Sequence, residues 1–110
     1  MPITEIEELK NQFIAKLTPV SVYLFGSFAT GTHTEESDLD FYIVVEDDVD
    51  DLADLTTQAY RAIRRVKKRP VDIIVGTKSR FEKRKNFPSI ENEVYKKGVL
   101  LYGSGNFAVD

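Results

Sequence analysis

The stretch that decides the fold is residues 20–45, VSVYLFGSFATGTHTEESDLDFYIVV, in which a polar segment joins two apolar runs. The first run, residues 20–25, is rich in β-branched and aromatic side chains and stops at Gly26, which predicts a buried strand followed by a tight turn. Gly26 and Ser27 are small enough for the backbone to approach a ligand. A short helix beginning near Ser27 would offer free N–H groups to an anion, and phosphate is the first anion to consider.

The second run, residues 41–45, predicts another strand, which is opened by Asp38-Leu39-Asp40. Because side chains alternate along a strand, Asp38 and Asp40 share a face with Cα atoms ~6.5–7 Å apart. Two carboxylates so close repel each other unless a cation lies between them, and Mg²⁺ prefers such oxygen ligands together with substrate phosphates. Asp72 lies in a third strand-like run, where an ionised side chain needs a partner. A metal shared by Asp38, Asp40 and Asp72 would be that partner.

These residues together resemble the polymerase-beta-type nucleotidyltransferase superfamily, and in particular its minimal nucleotidyltransferase (MNT) domains. The matching positions are Gly26, Ser27, Asp38, Asp40 and Asp72, with ten residues between Ser27 and Asp38. The resemblance extends over about residues 20–102, because residues 90–102, IENEVYKKGVLLY, also look like the end of those domains. Among members of the superfamily, the chain is similar to the antitoxins of HEPN/MNT toxin–antitoxin pairs.

The resemblance implies a polymerase-beta-type nucleotidyltransferase fold, which is α/β (α+β) with a small mixed β-sheet flanked by helices. The order helix, strand, turn, strand, helix, strand, helix, strand agrees with this fold. We expect the nucleotidyltransferase domain to occupy residues 1–103 and a loose C-terminal tail to occupy residues 104–110.

The activity implied is Mg²⁺-dependent transfer of a nucleoside monophosphate, AMP from ATP, onto a hydroxyl group. Asp38, Asp40 and Asp72 would be the catalytic residues and would hold one or two Mg²⁺ ions. Asp72 would also lower the pKa of the attacking hydroxyl or accept its proton. Gly26 and Ser27 would bind the terminal phosphates of the nucleotide. By the same resemblance, the expected partner is a HEPN-type toxin protein and the expected acceptor is one of its tyrosines.

The chain departs from the family at Thr30, because minimal members commonly have Ala-Arg-Gly where this chain has Ala29-Thr30-Gly31. The contacts that this arginine makes in relatives therefore do not carry over. The departure favours an alternative, a binding module that neutralises its partner by contact with weak or lost transfer activity. Retention of all three aspartates argues against it, because unpaired carboxylates on apolar strands are costly without a metal. A third reading is a structural domain whose aspartates only cap strand ends.

Length and composition describe an ordinary globular chain. Its 110 residues suffice for one domain, and 42% hydrophobic and 30% charged residues are usual values. No apolar run approaches the roughly 20 residues that span a bilayer, and the first residues lack the form of a signal peptide. The chain has no cysteine. We therefore expect a cytoplasmic protein without membrane contact.

The net charge of −3 conceals an asymmetry between the two halves of the chain. Residues 1–60 contain 2 Lys or Arg against 13 Asp or Glu, whereas residues 61–110 contain 13 against 5. A metal–triphosphate requires both signs of charge, although solvated helix faces produce the same asymmetry. The overall acidic charge argues against direct nucleic-acid binding. Either a homo- or a hetero-oligomer is compatible with the sequence.

Helix boundaries are predicted from local signals. Thr4 with Glu7, and Ser79 with Glu82, have the capping-box spacing, and Ser89 is a third candidate N-cap before a helix that ends at Gly98. The acidic run 46–51 has no calcium-loop spacing and is predicted to be a solvated loop whose last aspartates cap a helix.

Two polar side chains of residues 31–37, His33 and Ser37, are candidates for chemistry. His33 is predicted to face solvent, because a lone loop histidine usually does. Ser37 is predicted to hydrogen-bond locally and fix the loop, because no base is visible beside it.

Overall fold

The computed structural model describes residues 3–105, and the predicted tail lies outside the described residues from position 106 onward. Nine elements follow one another in this part of the chain: α1 Ile3–Leu17, β1 Ser21–Phe25, α2 Ser27–Thr30, β2 Leu39–Val45, α3 Leu52–Ile63, β3 Val71–Thr77, α4 Lys78–Arg84, α5 Ile90–Lys97 and β4 Val99–Gly103. The predicted mixture of helices and strands is confirmed. No helix within residues 3–105 is long and apolar enough to cross a bilayer.

The four strands form one mixed sheet in the order β3-β2-β1-β4. β1 pairs antiparallel with both β2 and β4, whereas β2 and β3 run parallel. The prediction that the strand after Asp38 is central is confirmed, because β2 has a hydrogen-bonded neighbour on each side. The start of β2 therefore lies between the start of β3 and the end of β1.

Alternation along β2 divides the core between the two faces of the sheet. One set of its side chains joins the cluster that α1 and α3 cover: Leu39, Phe41, Ile43 and Val45. The other set, Tyr42 and Val44, packs with Phe81 of α4 and Val94 of α5. Asp40 has the same parity as Tyr42, so its side chain belongs to the face that α4 and α5 cover.

Two of the predicted helix caps are confirmed. The Asp51 side chain accepts a hydrogen bond from the backbone N–H of Asp54 at the start of α3, and the acidic run before it is exposed apart from Val49. Ser89 likewise accepts from the N–H of Asn92 at the start of α5. Each side chain satisfies a donor that has no partner within its helix.

The other two capping predictions are wrong. α1 already begins at Ile3, so Thr4 lies inside its first turn. At α4 the cap is Thr77, which accepts from the N–H of Arg80. Ser79 is inside this helix and instead donates its backbone N–H to Asp47 across a distance of 2.8 Å. A tertiary partner, which local spacing cannot indicate, therefore determines the role of Ser79.

Gly98 ends α5 as predicted, but not with the left-handed backbone of a common glycine cap. Its φ is −75°, and a Cβ at this position would lie 2.3 Å from the Val94 carbonyl oxygen and 3.1 Å from that of Leu24. The glycine is therefore required for the close approach of the chain to β1. β4 then follows, in agreement with the predicted final strand.

Candidate active site

The turn after β1 brings the backbone against the carboxyl group of Asp40. Gly26 has φ 76° and ψ −156°, a conformation that side chains disfavour. A Cβ on Gly26 would lie 2.3 Å from Oδ2 of Asp40, so glycine is required by space as well as by backbone geometry. Ser27 directly follows and opens the one-turn helix α2. The predicted turn and short helix are thus confirmed, and both adjoin an acidic side chain.

Asp40 and Asp72 are direct neighbours in the parallel pair of β2 and β3. The register opposes Asp40 to Asp72, just as it opposes Tyr42 to Ile74 two residues further on. Register partners in parallel strands point to the same face of a sheet. The negative charge of Asp72 acts on Asp40 across this pair. The structure therefore brings together two of the three predicted acids, from segments 32 residues apart in the chain.

The surroundings of Asp40 disfavour its negative charge. Burial, then the negative charges of Asp72 and Asp38, then a hydrogen bond with Asp72 and the charge of Glu93, raise the pKa of Asp40 from 3.8 to about 6. Asp40 is partly buried, whereas Asp72 is exposed. Perturbed carboxyl groups of this kind are frequent at functional sites, because chemistry needs charges that a stable fold would otherwise avoid.

Asp38 lies at the edge of this pair. It is exposed and precedes β2, which begins at Leu39, yet its charge acts on Asp40. Glu93 of α5 is a further acid within electrostatic reach of Asp40. Sequence reasoning did not assign Glu93 to the site, although it is one of the two glutamates in residues 90–102, the stretch that resembles the end of MNT domains. Helix periodicity identifies its buried neighbour Val94 but carries no information on which strand end Glu93 approaches.

The donor set fits a hard divalent cation. It consists of carboxylate oxygens, which Mg²⁺ prefers, and the mutual repulsion at Asp40 is what a bound cation would relieve. Within residues 3–105, no group of three or more histidine, aspartate or glutamate side chains is arranged closely enough to hold a metal ion by itself. The carboxyl groups thus form a pair with a third nearby, an arrangement that suits a metal which takes one or two carboxylates and completes its shell with water and phosphate oxygens.

The loop between α2 and β2 is held by its own side chains. The Ser37 hydroxyl accepts a hydrogen bond from the Thr34 N–H at 2.8 Å, which confirms the local role predicted for Ser37. The Thr30 hydroxyl pairs with that of Thr32 at 3.0 Å and lies 3.3 Å from the Gly26 carbonyl oxygen. At the position where relatives commonly have arginine, this chain thus has a threonine whose hydroxyl contacts only nearby residues of α2 and its flanks.

The prediction that His33 faces solvent is wrong. Its ring stacks on Phe28 with centroids 4.3 Å apart and an interplanar angle of 11°. Its Nδ1 is buried and has no hydrogen-bond partner among residues 3–105. The guanidinium of Arg69 also lies over the Phe28 ring, 5.0 Å from its centroid. Phe28, which directly follows the Gly26-Ser27 turn, provides the apolar surface that draws the histidine in.

Comparisons with known proteins agree with this geometry. The nucleotidyltransferase domain family matches residues 6–101. A candidate protein adenylyltransferase of Methanocaldococcus jannaschii is 33% identical over 97 residues, which cover 88% of this chain and 90% of the relative.

Solved structures share the fold at lower sequence identity. A candidate nucleotidyltransferase from Sulfolobus solfataricus has a TM-score of 0.58 with 22% identity, over 91% of this chain and 78% of that one. A toxin–antitoxin structure with AMP-PNP has a TM-score of 0.53 with 23% identity, over 94% of this chain and 75% of that one. Given the family match across residues 6–101 and a relative aligned over most of both sequences, the chain belongs to the nucleotidyltransferase domain family and is a nucleotidyltransferase.

Proposed function

We propose that this nucleotidyltransferase transfers AMP from ATP, with Mg²⁺, onto a hydroxyl group of a partner protein, and that it acts as the antitoxin of a HEPN-type toxin. The observation that carries the proposal is the acidic pair formed by Asp40 and Asp72 beside the Gly26 turn. The Methanocaldococcus relative, which is described as a candidate protein adenylyltransferase, supports a protein as acceptor. The shared fold of a toxin–antitoxin structure with AMP-PNP supports the nucleotide and the cellular role.

The chemistry needs alignment and neutralisation of charge more than covalent help from the protein. Asp38, Asp40 and Asp72 would hold the cation, which when bound neutralises the triphosphate and orients it for in-line attack. The backbone at Gly26 and Ser27, both partly exposed, would receive the terminal phosphates. Such binding would place the α-phosphate beside the two strand starts.

The transfer itself balances with the residues at hand. The hydroxyl oxygen of the acceptor forms a bond to the α-phosphorus, and the bond from that phosphorus to the bridging oxygen breaks, so that pyrophosphate leaves. The exposed carboxylate of Asp72 accepts the hydroxyl proton. The acceptor that we propose is a tyrosine of the HEPN-type protein, since this is the partner that the resemblance to MNT domains implies.

The test uses ATP labelled at the α-phosphate, MgCl₂ and the purified product of the adjacent reading frame. Label should appear on that protein with the wild-type chain, and Asp38→Asn should reduce its rate of appearance by at least about 10²-fold. Asp48→Asn is the matched control, because Asp48 is an exposed aspartate of the acidic loop and the change in charge is the same.

Inhibition of the partner that survives Asp38→Asn, with no label on it in any sample, would favour the contact-only module over transfer. Label on the partner that requires Asp38 and MgCl₂ would exclude that module. A chain that neither labels nor inhibits the adjacent protein would overturn the proposed function.

A further inference from the structure

A fully buried carboxylate lies beneath α4 and α5, on the same face of the sheet as Asp40. Glu91 is 0% exposed and accepts a hydrogen bond from the Tyr42 hydroxyl at 2.7 Å. Its two oxygens also accept from Nε of Arg80 at 3.2 Å and from Nε of Arg84 at 2.9 Å. Gly76 provides the room for this arrangement, because a Cβ there would lie 2.1 Å from the Tyr42 hydroxyl oxygen.

Glu91 keeps its negative charge. Burial acts to raise its pKa, but hydrogen bonds from Arg84 and Tyr42 and the charge of Arg80 outweigh burial and hold the pKa below its ordinary value. One carboxylate therefore faces two guanidinium groups. Since arginine is always protonated, the cluster has an excess of one positive charge.

The excess charge is presented outward in a fixed orientation. Both arginines donate Nε to Glu91, yet their side chains remain 47% and 48% exposed, so part of each guanidinium is accessible to a partner. Within residues 3–105, neither guanidinium has a second carboxylate partner. The positions i and i+4 lie on one helix face, which Lys83, also exposed, shares.

An exposed apolar side chain follows this charged face in a turn, where the Phe87 N–H donates to the Arg84 carbonyl oxygen at 3.0 Å. Phe87, seven residues after Arg80, is 60% exposed and is among the largest exposed hydrophobic side chains of the described residues. We define the α4 surface as Arg80, Lys83, Arg84 and Phe87. It combines oriented planar cations with an aromatic anchor, the residue types that dominate binding energy in protein interfaces.

We propose that the α4 surface is the docking site for an acidic segment of the protein that receives the nucleotide. Carboxylates of that segment pair with the exposed parts of the Arg80 and Arg84 guanidinium groups, and an apolar residue of it contacts Phe87. Docking is favoured because Glu91 already orders both arginines, so little conformational entropy is lost on binding. The inference rests on the proposed function for the identity of the partner.

A protein segment fits this surface better than nucleic acid does. The chain has a net charge of −3, and the surface combines three cations with one aromatic ring, whereas nucleic-acid binding depends on extended neutralisation of phosphates. Docking here would hold the acceptor on the face of the sheet that also bears Asp40.

The experiment measures complex formation without ATP or MgCl₂, so that it does not depend on transfer. The purified product of the adjacent reading frame is titrated into the wild-type chain and into Arg80→Gln with Arg84→Gln, by isothermal titration calorimetry. We expect the double variant to bind at least about tenfold more weakly. The matched control is Arg64→Gln with Arg65→Gln, which removes the same charge from two exposed arginines that follow α3. The control should bind as the wild type does.

A second variant guards against misfolding, because Arg80 and Arg84 also contact Glu91. Lys83→Gln with Phe87→Ser changes only exposed side chains and should weaken binding as well, with the thermal unfolding temperature unchanged. Unaltered affinity in this variant, or an equal loss in the Arg64 and Arg65 control, would overturn docking at the α4 surface. Tighter binding of a mixed-sequence single-stranded RNA than of the protein, lost in the same α4 variants, would also overturn it.

Failure of the proposed function has a separate signature. Asp38→Asn should bind the partner with wild-type affinity while it labels the partner at least about 10²-fold more slowly. Binding that depends on the α4 surface, in a chain that never labels its partner, would support docking and contradict transfer. Labelling that proceeds normally in all α4 variants, with affinity unchanged, would support transfer and contradict docking at the α4 surface.

Discussion

Asp40 and Glu91 are carboxyl groups on the same face of one small sheet, and the fold treats them in opposite ways. Glu91 is completely buried, yet its pKa lies below the ordinary value because a tyrosine and two arginines surround it. Asp40 is less buried, yet its pKa is raised to about 6, by burial and then by the neighbouring Asp72 and Asp38. Burial alone therefore does not determine the charge of these groups. The neighbouring side chains determine it.

The difference indicates what each carboxyl group is for. The chain can stabilise a buried negative charge, as it does at Glu91, but it gives Asp40 further acids as neighbours in place of cations. Local conflicts of this kind concentrate at functional sites, where the missing partner comes from outside the protein. A cation together with a nucleotide is that missing partner in the function proposed above.

The largest effect should follow from removing the negative charge of Asp40, which its surroundings disfavour. Asp40→Asn should reduce the rate of label transfer by at least about 10²-fold, because the proposed ligand for the cation is lost. The same change should raise the thermal unfolding temperature in metal-free buffer, because the repulsion from Asp72 and Asp38 is removed. Calorimetry and the transfer assay on one preparation measure both results, with Asp48→Asn as control.

If Asp40→Asn lost both activity and stability, Asp40 would be a structural group like Glu91. The contrast between the two carboxyl groups would then fail. Gains in stability at the expense of activity are the usual signature of residues kept for function.

Removing the negative charge of Glu91, which its neighbours stabilise, should have the opposite effect on stability. Glu91→Gln retains the shape of the side chain but leaves the hydrogen bonds from Arg84 and Tyr42 without a charged acceptor. The free energy of unfolding should fall by about 1–3 kcal/mol, as measured by urea denaturation. Lys97→Gln, an exposed change on the same helix, serves as control. An unchanged midpoint for Glu91→Gln would show that the buried network contributes nothing to stability.

Much of the candidate site could be predicted because its signals are local. The period of two along β2 assigns Asp40 to a face, and the apolar runs on both sides of the strand predict its central position. The glycine at position 26 predicts the turn. Asp72 could be found because an acid within a β-branched strand is conspicuous in sequence.

The buried carboxylate of Glu91 could not be predicted from local sequence signals in this way. Glu91 stands in a helix where charged residues outnumber apolar ones, so its position gives no sign of burial. It becomes buried only because α4 and α5 pack together over Tyr42, a contact that spans 49 residues of sequence. The prediction for His33 failed for a similar reason, since its position depends on stacking against the buried ring of Phe28 and not on the polarity of its own loop.

The close approach of the Gly26 backbone to the Asp40 carboxyl group can be tested by substitution of the glycine. Gly26→Ala should lower the free energy of unfolding by at least about 2 kcal/mol, since it adds a contact with the Asp40 carboxyl group to the strain of positive φ. Gly31→Ala is the matched control, because Gly31 also has positive φ, 79°, but no atom within 4 Å of the added Cβ. It should cost only about 1 kcal/mol. Equal costs in the two variants would show that Asp40 does not press on the turn.

The smallest effect, and the one that separates the two carboxyl groups most directly, is the pH dependence of stability. The pKa of Asp40 is about 6 in the folded chain against an ordinary value of 3.8, so folding favours its protonated form. Its contribution to stability is therefore fully present below pH 3.8 and is lost as the pH rises through about 6. Glu91 behaves in the opposite sense, because its lowered pKa gives stability that is present above pH 4.5 and is lost as the pH falls through the folded value.

The unfolding temperature of the wild type relative to Asp40→Asn should accordingly decrease between pH 4 and pH 7 in metal-free buffer. Added MgCl₂ with a non-hydrolysable ATP analogue should reduce this decrease, since a bound cation favours the deprotonated carboxylate and binds only the folded chain. Glu91→Gln should leave the decrease unchanged. If the wild type and Asp40→Asn instead showed parallel profiles across this range, the repulsion between the strand-start acids would be too weak to require a cation, and Asp40 would resemble any exposed aspartate.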